Sequence, residues 1–468
     1  MGYSRASNVC IWLGEGDEEG RSEKAMDFIT DIIDFAVLER YAHDKRQAEK
    51  WYALSELMRD RWFSRRCIVQ EIALARDATV HCGGSVVQWS DFSDAVSLLV
   101  SNQEMIRSLF DPSEWREGDN TLGDVGSDPR DLIYSVVAIA SDTSRRVWNR
   151  FASPRQPPPF ELTADYKQSD VNVYKTFTKF CVLTSKSLDI ICRPWAMPPR
   201  VLEEGMQFMP SWIPLLSRSE FGAPEEIYGG RKNGEVLVGP AGSPVYRASG
   251  NLGNITDAKS SDVKFLLGSE GDVLRAKGKL LGVISQVSQR TTGGVILRES
   301  LRMAGWRGIE AGGHSVPDSV WRTLVADRGR DGRLAPPWYQ RACLRCLEMA
   351  DRLNNGDLNV GELLQGHLRM LREYLLRVRD VTWNRRFFAI EMSLHDVKRA
   401  KPDYGLCPPE TQVGDDVCVL FGCSVPVVLR EMSDGHVELV GEAYLHGYMD
   451  GEGVEGLSKY DIREYKIR

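Results

Sequence analysis

The chain has 468 residues, and at roughly 150 residues per domain this length predicts two or three domains. Hydrophobic residues make up 42% of the chain and charged residues 27%, which are the proportions of a globular protein. The net charge of -7 gives no reason to expect a nucleic-acid partner, and without a run of 18 apolar residues we expect no membrane span.

The N-terminus and the cysteines indicate a reduced, cytoplasmic protein. Residues 1–7 lack the apolar core of a signal peptide, and Ala6 replaces the Ser or Thr of a myristoylation signal. The cysteines are scattered over the chain, unlike the dense framework of a small secreted domain. Cys343 and Cys346 form a lone C-x-x-C. Without a second pair it predicts two thiols packed on a helix and no metal site.

The first hundred residues alternate between strand and helix patterns. The apolar run 9–13 predicts a buried strand, and Ser22 is the expected N-cap of the helix that follows. A second helix is expected around Trp51, then a strand at 79–82 and a helix with Ser90 as its cap. This alternation predicts an α/β arrangement with parallel strands.

Residues 61–76 join an aromatic and arginine-rich turn to a helix with one apolar stripe. Glu71 stands in the middle of that helix, close in sequence to several arginines. This carboxylate is the candidate catalytic group, and the alternative is a Glu that pairs with an arginine and anchors the fold. The large aromatic residues are expected in the core rather than in a site, and these are Trp12, Trp62 and Phe63.

The proline-rich stretch 153–159 is the best domain boundary, because consecutive prolines form a stiff, extended connector. We divide the chain into four parts. An α/β domain occupies 1–105, and a helix with the proline-rich linker occupies 106–160. A mixed α/β middle region at 161–355 follows, and a helix with a strand-rich C-terminal module occupies 356–468.

The helix predicted at 360–379 combines a leucine stripe with an arginine-rich face. That face indicates either a solvated basic surface or a docking helix for an acidic partner. Its arginines are Arg369, Arg372, Arg377 and Arg379. Two histidines are expected to be structural, namely His81 in a strand and His367 near the inner stripe of this helix.

The last sixty residues predict mainly strands. The runs 415–422 and 426–430 have strand patterns, and Asp434-Gly435 is a strong turn signal before a further strand at 436–444. The paired glycines at 293–294 and 312–313 lack the strand and helix context of a phosphate-binding loop. We therefore expect no bound cofactor.

Several ordered motifs resemble those of the fungal heterokaryon-incompatibility (HET) domain. The N-terminal ones are YSRA…VCIWLGE at 3–15, WFSR…VQE at 62–71 and WSDF at 89–92, although Cys67 stands where the family usually has an aromatic residue. MPSWIP at 209–214 is similar to a segment that follows the domain. The strands GDDVCVLFG, PVVLR and LVGEAY, followed by MDGE, resemble the family's terminal module.

This resemblance implies a first domain similar to Toll/interleukin-receptor domains, with a partial parallel sheet. A mixed α+β region with the strand-rich C-terminal module would follow. The family's opening strands would lie before Met1, so we expect a HET domain truncated at its N-terminus. A sheet without its first strands would expose an edge and apolar surface.

Three functions are compatible with the resemblance. HET proteins trigger growth arrest or death when incompatible fungal cells fuse, which implies non-self recognition through self or other incompatibility proteins. Some Toll/interleukin-receptor-like domains cleave NAD with a Glu in a context similar to SRRCIVQE at 64–71. With NAD as ligand, Glu71 would hold the ribose and stabilise positive charge as nicotinamide leaves. The third possibility is an inactive truncated paralogue that acts only as an interaction scaffold.

Overall fold

The structure is a computed structural model that divides the chain into two compact units, Met1–Tyr166 and Lys167–Arg468. Glu71, Phe63 and His367 lie outside the residues that it describes. Between residues 59 and 163 it describes 60, 62, 72, 75, 77–102, 106, 109, 128–130 and 133–134. Elsewhere it describes 8–17, 19–58, 164–199, 209–221, 231–240, 243–253, 263–266, 272–308, 315–364, 369–392 and 403–468.

The first unit contains a small mixed sheet. Its strands, in spatial order, are β1 (Val9–Trp12), β2 (Ala78–Cys82) and β3 (Ser85–Gln88). β1 and β2 are parallel, whereas β3 turns back as a hairpin that the sequence analysis did not include. Gly83 makes that turn possible with a φ of 56°. A Cβ at Gly83 would lie 3.0 Å from the carbonyl oxygen of Glu15, so a larger residue would be strained.

Helices pack against this sheet and against one another. They are α1 (Arg21–Ile32), α2 (Phe35–Tyr41), α3 (Ala48–Leu57) and α4 (Trp89–Ser101). Both expected N-caps are wrong. The residue before α1 is Gly20, and the backbone N–H of Ser22 donates to the carboxylate of Asp17 at 3.0 Å. Ser90 lies inside α4 because β3 runs directly into that helix.

The core of the first unit lies between these helices and the sheet. Phe28 and Trp51 meet edge-to-face with ring centroids 4.7 Å apart, and both side chains are fully buried. Trp62 is also buried, at 9% exposure. The expectation that Trp12 is a core residue is wrong, because its side chain is 53% exposed. Alternate residues of a strand face opposite sides, and Ile11 takes the inward position.

A closed five-stranded barrel forms the centre of the second unit. The strands of this unit are β4 (Val263–Leu266), β5 (Val273–Arg290), β6 (Val295–Ile296), β7 (Leu358–Asn359), β8 (Arg386–Met392), β9 (Asp403–Cys407), β10 (Asp416–Leu420), β11 (Val427–Glu431), β12 (Val437–Glu442), β13 (Tyr444–Leu445) and β14 (Ile462–Ile467). β5 pairs with β10, and pairing continues through β11, β12 and β14 back to β5. This closure leaves the ring of five strands without an edge.

The long strand β5 belongs to two sheets at once. Its first half closes the barrel, and its second half pairs with β8, which continues into β9 and β13. Glycines mark the crossing, because the neighbouring backbones approach closely there. A Cβ at Gly278 would lie 2.5 Å from the carbonyl oxygen of Val419, and one at Gly282 would lie 2.7 Å from that of Glu391.

Helices surround this barrel and its extension. They are α5 (Asp170–Ser185), α6 (Arg298–Met303), α7 (Asp318–Leu324), α8 (Trp338–Leu353), α9 (Val360–Leu364) and α10 (Arg369–Thr382). The helix predicted at 360–379 corresponds to α9 and α10, and residues 365–368 between them lie outside the described residues. Ser169 caps α5 by accepting from the backbone N–H of Asn172 at 3.4 Å.

Candidate functional site

A pocket of about 90 Å³ opens beside barrel strand β12, next to the turn that joins α10 to β8. Prolines and aliphatic side chains form much of its wall. The polar residues that line it include Arg218, Asn233, Asn384, Arg385 and Glu442. Its volume is below the roughly 300–1,000 Å³ of typical ligand pockets, and we take it as the candidate site because buried charged residues converge in its wall.

Glu442 and Arg385 form a buried ion pair in the wall of this pocket. Arg385 Nη2 donates to Glu442 Oε1 at 2.7 Å, and the two residues are only 7% and 9% exposed. The backbone N–H of Leu237 reaches both carboxylate oxygens, at 2.8 and 3.0 Å. The N–H of Val238 donates at 3.4 Å. One cation and two backbone amides therefore hold the carboxylate.

Backbone carbonyls fix the arginine of this pair. Nη1 of Arg385 donates to the carbonyl oxygen of Val381 at 2.7 Å, and Nη2 donates to that of Glu235 at 2.6 Å. Gly234 packs directly on the guanidinium, since a Cβ at that position would lie 2.7 Å from Nη1. A larger residue at position 234 would displace the guanidinium and weaken its bond to Glu442.

The charges and hydrogen bonds of Glu442 and Arg385 are those of a structural ion pair. Burial raises the pKa of the Glu442 carboxyl above its usual value, and the charge of Arg385 and the N–H groups of Leu237 and Val238 oppose that shift. Both side chains already bind partners within the protein, since Glu442 accepts from Arg385 and two backbone N–H groups, and Arg385 donates to Glu442 and two backbone carbonyls. This arrangement therefore offers a fixed, charged wall to the pocket rather than a free general acid or base.

Two further acidic residues of the C-terminal motifs also bind arginines. Asp415 accepts from Nε and Nη2 of Arg430, both at 2.9 Å, in a bidentate pair. Asp450 pairs with Arg328 at 3.0 Å, and that guanidinium lies 4.4 Å from the ring centroid of Tyr246. The GD, LVGE and MDGE motifs thus each supply one carboxylate to one arginine.

The arginines of α10 do not all belong to one solvated face. Arg377 is 8% exposed and donates to the carboxylate of Glu235 at 2.7 Å. Arg379 donates to Asp380, a buried carboxylate that Arg231 also approaches at 3.0 Å. For Arg377, the prediction of a solvated or docking surface is wrong. Its guanidinium is paired with Glu235 inside the second unit, because a buried charge is costly without a partner.

Cys343 and Cys346 lie on the buried face of α8. Burial raises the pKa of the Cys343 thiol to about 12, which keeps it protonated and a poor metal ligand. Within the described residues, no cluster of three His, Cys, Asp or Glu side chains is placed to hold a metal ion.

Asp416, on barrel strand β10, has a strongly shifted carboxyl. Partial burial raises its pKa to about 6, the neighbouring charge of Glu431 adds to the shift, and Arg463 opposes it. The folded protein therefore binds the Asp416 proton more tightly than an unfolded chain, whose Asp pKa is about 3.9. The resulting stabilisation is complete below about pH 4 and is lost as the pH rises through about 6.

We expect Asp416→Asn to be more stable than the wild type at pH 8 by about 1–2 kcal/mol, after discounting for solvent screening. The two proteins should be about equally stable at pH 3, because Asp416 is then protonated in both the folded and the unfolded state and is neutral like Asn. Urea unfolding between pH 3 and pH 8 measures the difference. Glu431→Gln, which removes only the neighbouring charge, should give a smaller gain. Parallel pH profiles for the wild type and Asp416→Asn would contradict the shifted pKa.

His81 and Glu71 are two further residues singled out from the sequence. His81 Nε2 contacts Thr79 Oγ1 at 3.0 Å, which confirms a satisfied strand histidine. Glu71 lies outside the described residues, so its role stays a prediction. Glu442 and Arg385 were not among the sequence-predicted site residues. A signal for Glu442 was available, because a charged residue in the apolar run LVGEAYL requires a buried cation.

Comparison with known proteins gave a family match for one segment of the chain. Searches of curated proteins and of solved structures gave no match. Within the described residues no helix has the length and apolarity needed to cross a membrane. A family model covers part of β8, β9–β13 and the start of β14, but not the closing strand β5. Residues 391–462 match the Het-6 beta-barrel domain, which links the chain to fungal heterokaryon-incompatibility-type proteins.

Proposed function

We propose that this protein acts in non-self recognition and programmed cell death of the heterokaryon-incompatibility type. The match of residues 391–462 to the Het-6 beta-barrel domain is the observation that carries the proposal. The HET-like motifs at 3–15 and 62–71 support the same assignment for the first unit. Its partners would be proteins, either further copies or other incompatibility proteins.

The barrel supports a recognition role better than catalysis. Its motif carboxylates each hold an arginine, and two of those arginines come from outside the matched segment, namely Arg328 and Arg385. Such ion pairs fix the barrel to neighbouring elements of the same unit. The motif carboxylates therefore serve the structure of the unit and are not free for acid–base chemistry.

Inducible expression of the full chain in a filamentous fungus tests the proposal. We expect growth arrest and uptake of a membrane-impermeant dye within hours of induction, whereas an empty vector has no effect. The protein level must be followed by immunoblot in the same cultures. Normal growth of cells that accumulate the intact, folded chain would contradict a cell-death role.

The alternative NAD-cleaving function depends on Glu71. If this carboxylate acts on a ligand, Glu71→Gln should keep the melting temperature within about 2 °C of the wild type and abolish killing, since the amide preserves shape and removes charge. If it anchors the fold, the same variant should melt lower because an arginine loses its partner.

The matched control is Glu39→Gln, which removes an exposed carboxylate of α2 in the same unit and should change neither property. Incubating purified wild type and both variants with NAD and measuring released nicotinamide separates NAD cleavage from signalling. Full killing by a well-folded Glu71→Gln variant would exclude Glu71 from any site. Absence of both killing and NAD cleavage in the folded wild type would favour the inactive scaffold.

A further inference from the structure

A second cavity, of about 710 Å³, lies beside barrel strand β12 and next to the candidate site. Its volume is within the roughly 300–1,000 Å³ that is typical of ligand pockets, unlike the volume of the candidate site. Ser211, Pro214 and Arg218 line both cavities, so these residues form the boundary between them.

The pairing of β12 explains why there is space at this place. β12 pairs with β14 at one register position only. Farther along β12, the backbone N–H of Leu439 donates to Ser211 Oγ at 2.9 Å, and the carbonyl oxygen of Val440 accepts from Arg218 Nη1 at 3.2 Å. Two side chains therefore satisfy this part of the edge in place of a neighbouring strand, and the cavity lies alongside them.

Half of the wall of this cavity is apolar. Eight of the sixteen described residues that line it are aliphatic, proline or methionine residues. Met209 and Met432 are the two methionines, and the unbranched side chain of methionine adapts to the shape of what it contacts. The apolar part of a ligand would therefore be withdrawn from water against this wall.

Other charged residues of the wall already have partners of opposite charge. Lys175 is only 7% exposed, and its Nζ lies 2.6 Å from Asp272 Oδ2. Arg468 Nη1 lies 3.3 Å from Asp434 Oδ2. These pairs are satisfied within the second unit and give a ligand little net charge to bind.

Arg218 differs from these paired residues. Its guanidinium donates to the carbonyl oxygen of Val440, and no carboxylate lies within 4 Å of it in the part of the chain that the structure describes. Glu438, which also lines the cavity, is instead the cross-strand neighbour of Arg430. The boundary between the two cavities therefore carries a positive charge that has no ion-pair partner among the described residues.

We propose that the cavity beside β12 binds a fatty acid, with its carboxylate on Arg218 and its alkyl chain against the apolar wall. A guanidinium binds a carboxylate through two parallel N–H···O bonds, and Arg218 has donors left after its bond to Val440. Burial of the alkyl chain adds affinity. A peptide fits less well, because its amide groups need partners and the wall offers mainly apolar or already paired side chains.

NMR spectroscopy of the full chain with isotope-labelled methionine methyl groups locates the ligand. We expect decanoate to shift the signals of Met209 and Met432 saturably and to leave unchanged the signal of Met26, which is buried in the first unit. Met209→Leu and Met432→Leu assign the two signals. Acetate lacks the alkyl chain and decanol lacks the charge, so each should bind at least about tenfold more weakly than decanoate. Absence of saturable shifts at both methionines, or equal affinity for decanol, would overturn the proposal.

Substitution of Arg218 tests the head-group contact. Arg218→Met removes the charge but keeps an unbranched chain, so it should raise the Kd for decanoate at least about tenfold. Arg218→Lys keeps the charge and should lose less affinity. Arg333→Met is the matched control, because this arginine side chain is 88% exposed in the same unit and does not line the cavity. Wild-type affinity in an Arg218→Met protein would contradict the assignment of the carboxylate to this residue.

Met432 allows a second test that leaves Arg218 in place. Its side chain is 47% exposed in the turn between β11 and β12, so substitutions there should not prevent folding. Met432→Glu places a negative charge in the wall and should weaken the binding of decanoate, whereas Met432→Lys should bind it at least as tightly as the wild type. Equal affinities of these two variants for decanoate would show that the ligand does not lie against this wall.

Discussion

Glu442→Gln is expected to lower the free energy of unfolding of the second unit by about 3–5 kcal/mol. The substitution keeps the shape of the side chain but leaves the buried guanidinium of Arg385 without its charge partner. It also turns an amide NH₂ toward the backbone N–H groups of Leu237 and Val238, which now donate to the carboxylate. Urea unfolding of the full chain, followed by a probe in the barrel, measures the loss.

A double-mutant cycle shows whether the loss comes from the ion pair itself. Arg385→Met in the wild type should cost a similar amount, because it leaves a buried carboxylate uncompensated. In the Glu442→Gln background the same change should cost less, with a coupling of about 2 kcal/mol or more. Glu455→Gln, at an exposed position of the same unit, should shift stability by less than about 0.5 kcal/mol. Additive effects of the two changes would contradict a direct pair.

The strands of the C-terminal module could be predicted because their signals are local. Period-two runs and the Asp434-Gly435 turn lie within about 30 residues, and β10, β11 and β12 follow them. Closure of the barrel could not be predicted in this way. It depends on β5, which pairs with β10 across more than a hundred intervening residues, and no local pattern encodes such a pairing.

One residue of the candidate site, Glu442, could also be predicted because its signal is local. A glutamate within an apolar strand signals a buried carboxylate, but its partner Arg385 lies in a turn after α10 with an ordinary sequence context. Only the tertiary fold brings the two together. The prediction that Trp12 is buried was wrong because residue type alone does not determine burial, and the two-residue period of β1 turns this side chain outward.

Trp62→Ala is expected to destabilise the first unit by about 3–5 kcal/mol, as large aromatic-to-alanine changes in a core do. Trp62 is 9% exposed and belongs to the main apolar cluster of that unit. Its ring lies with its centroid 6.3 Å from that of Trp89, and Trp89 stacks in turn on Phe92 at 5.7 Å. Removing the indole leaves a cavity beside these rings, and the surrounding helices can collapse into it only in part.

Trp12→Ala provides a control of identical chemistry in the same unit. Its side chain is 53% exposed on β1, so its loss should cost less than about 1 kcal/mol. Thermal unfolding monitored by near-ultraviolet circular dichroism compares the two variants with the wild type. Trp62→Ala should show the larger fall in melting temperature, because the free energy lost depends on the apolar area withdrawn from water and not on the residue type. Equal falls for both variants would contradict the assignment of Trp62 to the core.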